Sequence, residues 1–103
     1  VAMQRPVEIV FRQMDRSAAM EERVEERTAA LNKRFNRVQN FRVTIAPSQK
    51  AKGKSFDVVV DMTVPGEELL VSATHADAYA AISDAFQTAH RRLDDWNEQH
   101  RES

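Results

Sequence analysis

The sequence predicts an α+β fold of order β-α-β-β-β-α, with two helices packed on one face of a four-stranded mixed sheet. Three observations carry this. Apolar residues alternate at period two in four short runs, the mark of strands with one buried face. Two longer stretches switch to the 3.6-residue period of an amphipathic helix. The 103 residues suffice for one hydrophobic core and not for two. The reading is therefore a single domain over residues 1–103, with its core at about 6–100.

The first strand holds Val7, Ile9 and Phe11, alternating with Glu8, Val10 and Arg12. The segment Met14-Asp15-Arg16-Ser17 breaks that pattern, and Ser17 is placed to cap a helix, since its hydroxyl can accept from a free amide of the first turn. From Ala18, the residues Met20, Val24, Thr28, Leu31, Phe35 and Val38 recur at steps of 4, 4, 3, 4 and 3. This predicts a helix through Val38. Glu21, Glu22, Glu25 and Glu26 stand near its start and Lys33, Arg34 and Arg37 near its end, an order that suits the helix macrodipole. Side-chain pairing adds little. Arg23 with Glu26 is favourable, but Glu21 with Glu25, Glu22 with Glu26 and Arg23 with Arg27 are like charges at i,i+4. The helix must depend on its apolar stripe.

Phe41, Val43 and Ile45 make the second strand, and residues 47–55 a loop carrying Lys50, Lys52 and Lys54. Phe56, Val58, Val60, Met62 and Val64 make the third strand, the clearest alternation in the chain. Pro65-Gly66 is a turn dipeptide, and Leu69, Val71 and Ala73 complete a β-hairpin. Thr74-His75-Ala76-Asp77 resembles a capping box. Tyr79, Ile82, Phe86, Ala89, Leu93 and Trp96 then mark a second helix running to about His100. A helix separates strands one and two, so those strands should be parallel and the others antiparallel. With no other layer to cover them, both helical stripes must lie on the same sheet face.

The search for chemistry finds little. The chain has no Cys, which excludes disulfides, thiolate zinc sites and cysteine nucleophiles. The only glycines, Gly53 and Gly66, are too far apart to cradle a phosphate. His75, His90 and His100 show no metal spacing and no evident carboxylate neighbour, and read as solvated surface. Asp94-Asp95 point about 100° apart on a helix and read the same way. No nucleophile, base and oxyanion set converges. The expectation is a non-enzyme with no catalytic residues, metal, cofactor or small-molecule substrate. No signal-peptide pattern occurs, and no apolar run approaches the ~20 residues of a membrane helix. A soluble cytoplasmic protein with no membrane role is expected.

Net charge is −1, from 15 basic and 16 acidic residues, whereas dedicated nucleic-acid binders are usually basic. The basic residues nonetheless cluster: Lys33-Arg34 with Arg37, the loop lysines Lys50, Lys52 and Lys54, and His90-Arg91-Arg92. Two helices side by side could present the helical clusters together to phosphates.

Around helix two the chain resembles a known family. Val64-Pro65-Gly66-Glu67-Glu68-Leu69-Leu70-Val71 leads into Ala76-Asp77-Ala78-Tyr79-Ala80-Ala81-Ile82. This D-x-Y-A-A-I run after a short hairpin is similar to the bacterial ribosome hibernation-promoting factors and ribosome-associated translation inhibitors, the sigma-54 modulation protein family. Upstream, Ser17-Ala18-Ala19-Met20 opens a helix, and Leu31, Phe35 and Asn36-Arg37-Val38 match the family's L-x-x-x-F-x-R-[IV]. The resemblance spans roughly residues 6–96. It implies a fold related to double-stranded-RNA-binding domains. It also implies binding to the small ribosomal subunit and its ribosomal RNA, in the mRNA and tRNA channel, by which idle ribosomes are silenced in stationary phase and stress.

Basic residues on both helices would make the contacts. The matching positions are Arg27 and Arg37 on helix one and Arg91 on helix two, with Lys33, Arg34 and Arg92 assisting. Departures are Glu21 and Thr88, where relatives often carry a base, and the acidic tail of Asp94, Asp95, Glu98 and Glu102. Some longer relatives add a C-terminal domain, and none is expected in a chain that ends after helix two. The leading reading is a ribosome-associated hibernation or translation-inhibition factor. The alternative, motivated by the acidic tail and net charge, is a protein-interaction module on the same fold with a reduced RNA surface.

Overall fold

The computed structural model describes residues 7–49 and 54–100. Its elements follow the expected order: β1 (Val7–Phe11), α1 (Ala18–Arg34), β2 (Asn40–Pro47), β3 (Phe56–Val64), β4 (Glu67–His75) and α2 (Ala78–Gln99). The strands lie in the sheet as β1-β2-β3-β4. β1 pairs parallel with β2, and the other two ladders are antiparallel.

Register turns the alternation of each strand into rows across the sheet. Val7, Phe41, Met62 and Leu69 form one row, and Ile9, Val43, Val60 and Val71 the next. Phe11, Ile45, Val58 and Ala73 form a third. On β2 and β3 these residues are completely buried. The opposite face carries the row Glu8, Arg42, Asp61 and Leu70, of which Leu70 is exposed. The helices cover the first face: α2 packs on β3 and β4, while α1 packs on α2 and β1. Val24, Leu31, Ile82, Phe86, Leu93 and Trp96 join the strand residues in one hydrophobic cluster.

β4 is two antiparallel steps from β2, so it runs parallel to β1. Each helix follows one of these two strands and returns over the sheet. The helices therefore run in the same direction, with both N-termini at one end of the molecule and both C-termini at the other. Cross-helix contacts agree: Arg23 meets Tyr79 toward the start, Arg27 meets Ser83 further along, and Arg37 meets His100 at the end.

Several boundaries differ from expectation. Helix α1 stops at Arg34, although the 3.6-residue spacing continues through Phe35 and Val38. Both residues are buried, but from the exit turn, where Phe35 N–H still donates to Leu31 O at 2.7 Å. A step of three fits a turn as well as a helix, and the chain must reverse here so that Gln39 N–H can donate to Thr63 O. At the second helix the cap is Asp77, whose carboxylate accepts from Tyr79 N–H at 2.9 Å. Thr74 does not cap. β4 extends through His75, and the Thr74 hydroxyl donates across the ladder to Asp57 Oδ1. Ser17 caps α1 as expected, accepting from Met20 N–H at 3.2 Å. Gly66 takes φ +89° in the hairpin turn, the left-handed backbone that glycine adopts without a Cβ penalty.

Candidate nucleic-acid interface

Helix geometry sorts the charges of α1. At about 100° per residue, Arg23, Arg27 and Arg34 fall within an arc of about 40°. That arc faces α2. Glu22, Glu25 and Glu26 lie at least about 60° outside it. The mixture of signs along the sequence is thus largely separated on the surface, although the Glu26 carboxylate reaches back to within 4.0 Å of Arg23. Arg23 and Arg27 are one turn apart, and Arg34 two turns further on.

Each arginine meets a residue of α2 or its flank. The Arg23 guanidinium lies 5.3 Å from the Tyr79 ring centre. Arg27 Nη2 donates to Ser83 Oγ at 3.0 Å. Arg34 lies 3.6 Å from Asp94 Oδ1 and 5.4 Å from the centre of the Phe35 ring. Its ion pair is weak. The two side chains are 61% and 47% exposed, and such pairs contribute about 0–1 kcal/mol. A phosphate can therefore displace Asp94 at little cost.

Between the helices runs a groove of about 310 Å³. Leu31, Phe86 and Ala30 line it together with Arg27, Arg34, Gln87 and His90. His90 meets the Phe35 ring edge-on at 5.1 Å, and its Nδ1 lies 3.6 Å from Asp94 Oδ2. His90 has no carboxylate adjacent to it in the sequence, yet Asp94 is four residues on, one helical turn away. His100 likewise is not simply solvated. Its ring stacks on Trp96 at 4.4 Å, and its Nε2 lies 3.9 Å from Glu67.

Arg37 lies in the turn after α1 and not on the helix. Its guanidinium sits 4.8 Å from the Trp96 ring centre and donates to the His100 carbonyl at 3.2 Å. The last turn of α2 has no basic residue of its own. Arg37 thus supplies a cation to the carbonyl end of α2, an arrangement that contributes about 0.3–1 kcal/mol.

The other expected contacts are dispersed. Lys33 is exposed on α1, about 100° round from Arg34. Arg91 and Arg92 are exposed, and neither has an ion-pair partner among the described residues. Arg91 is one turn beyond Gln87 and about 40° round from it, at the edge of the groove, whereas Arg92 points about 160° round from His90, away from it. Lys54 is exposed at the end of the sheet where the helices begin, about 25 Å along α1 from its basic C-terminal end. Lys50 and Lys52 lie outside the described residues. Arg23 is absent from the contacts expected from sequence, although its spacing to Arg27 and Arg34 places it on the same flank. Among the described residues no group of three or more His, Asp or Glu is placed to hold a metal, and no helix is long and apolar enough to cross a membrane.

The sequence model of the family described as "Sigma 54 modulation protein / S30EA ribosomal protein" matches residues 7–101. Among solved structures, the chain is similar to a ribosomal subunit interface protein from Coxiella burnetii, with a TM-score of 0.79 at 14% identity. That match covers 89% of this chain and 97% of the other. It is also similar to the N-terminal domain of Protein Y from Thermus thermophilus, with a TM-score of 0.73 at 21% identity, covering 91% and 99%. At these identities the likeness is one of fold. No curated protein sequence matches the chain.

Proposed function

Because the chain belongs to the sigma 54 modulation protein / S30EA ribosomal protein family, we propose that it is a ribosome-associated hibernation or translation-inhibition factor. It acts as a single cytoplasmic binding domain without catalysis. Its target is ribosomal RNA of the small subunit, taken up on the paired outer faces of α1 and α2. The observation that supports this most is the alignment of Arg23, Arg27 and Arg34 along one flank of α1, where Arg27 and Arg34 line the groove and Glu26 is the α1 glutamate that reaches the row, 4.0 Å from Arg23. A net charge of −1 argues against non-specific nucleic-acid affinity, but a local row of cations suffices for phosphate contact. Arg27 and Arg34 are the central contacts. Lys33, Arg91 and Arg92 reach RNA that spreads over the helix crests, and Lys54 meets it only at the far end.

Sucrose-gradient sedimentation of a stationary-phase lysate tests this reading. At low salt the protein is expected in the small-subunit and whole-ribosome fractions. Recovery only at the top of the gradient contradicts it. A pull-down of protein partners that survives RNase and high salt, without ribosomes, would favour a protein-interaction module instead.

A further inference from the structure

We propose that the groove between α1 and α2 is a subsite for one unpaired ribonucleotide, its base seated on Leu31 and Phe86 and its neighbouring phosphates held by Arg27 and Arg34. This rests on the RNA-binding reading above and names the part of the RNA that this surface takes. Three features of the groove point to a base rather than to a duplex backbone.

The first is size. The volume of about 310 Å³ lies at the low end of ligand clefts, about 300–1,000 Å³, and suits one flat ring system. The second is the floor. Leu31 and Phe86 belong to the core cluster yet also line the groove, and Ala30 beside them keeps it open. A duplex offers such a floor phosphates, sugars and polar base edges but keeps its base faces stacked, whereas an unpaired base offers an apolar face. The third is the rim. Arg27 lies three residues before Ala30 and Arg34 four residues after, so planar cations stand on both sides of the opening. Gln87 adds an amide with both donors and an acceptor, able to bond a base edge. His90, held edge-on against Phe35, closes the rim with a second planar ring.

Fluorescence anisotropy with the purified chain tests the subsite. The probes are a labelled six-nucleotide oligoadenylate and a labelled chain of equal length with an abasic ribose at every position. Both carry the same phosphates, so the ratio of their affinities reads the base alone. The wild type is expected to bind oligoadenylate at least about fivefold more tightly at low salt, as for one stacked base. Ala30→Leu fills the floor from an exposed helical position and should bring the ratio toward one. Gln87→Leu should lower it as well and serves as the second variant, with circular dichroism confirming that each is folded. A wild-type ratio near one, no binding of either probe, or a ratio undiminished in both folded variants overturns the subsite. Any of these results leaves co-sedimentation with ribosomes standing. Failure of that co-sedimentation removes the RNA-binding reading itself.

Discussion

Replacing Trp96 by Ala is expected to destabilise the fold by about 3–5 kcal/mol, the usual cost of truncating a buried aromatic. Domains of this size have a total stability of about 5–15 kcal/mol, so the variant retains little reserve. Trp96 is 3% exposed and joins α2 to the core. Its indole N–H donates to Glu67 Oε2 at 2.9 Å, which ties the far end of α2 to the β3–β4 turn. Its ring also carries Arg37 and the stacked His100. Trp96→Phe is the control. It keeps an aromatic ring, and the Glu67 carboxylate is exposed enough for water to replace the lost hydrogen bond. Its loss should be well under half that of the Ala variant. Urea denaturation reads both. A Trp96→Ala midpoint close to wild type would contradict the place given to this residue in the core.

Reversing Arg27 and Arg34 together to Glu is expected to weaken binding to purified small ribosomal subunits by at least about tenfold. Two phosphate contacts become two repulsions, and each lost contact flattens the salt dependence by about 0.7–0.9 in slope. Folding should barely change. Arg27 bonds only a neutral hydroxyl, and the Arg34–Asp94 pair is too exposed to contribute much. Arg91→Glu with Arg92→Glu should cost less, because Arg91 stands only at the edge of the groove and Arg92 points away from it. If the α2 pair proved the more damaging, the RNA would lie on the outer face of α2 and not along the α1 flank.

The fold was legible because most of its signals are periodic. Alternation fixed which residues of β2 and β3 face the core, and the helix between β1 and β2 fixed their parallel pairing. Boundaries were harder. Spacing does not distinguish the last turn of a helix from the turn that follows it, so Phe35 and Val38 were placed on α1 when they are buried from its exit. Thr74 looked like a cap because a hydroxyl serves a cap or a cross-strand bond equally well.

The candidate site was half legible. Arg27 and Arg34 could be named, and the angular arithmetic that adds Arg23 and turns Glu22 and Glu25 away needs only the sequence. The roles of Arg37 and His90 did not show in it. Arg37 is directed by Trp96 and the α2 carbonyl end, 63 residues away at His100. The groove beside His90 exists only because the two helices run side by side in the same direction.

The most direct test of the central account is the salt dependence of binding between the purified protein and purified small ribosomal subunits. The logarithm of the association constant is expected to fall linearly with the logarithm of salt concentration. With contacts from Arg23, Arg27 and Arg34 the slope should be about −2 or steeper. Absence of binding at low salt, or binding that salt leaves unchanged, would contradict an RNA interface built on that arginine row.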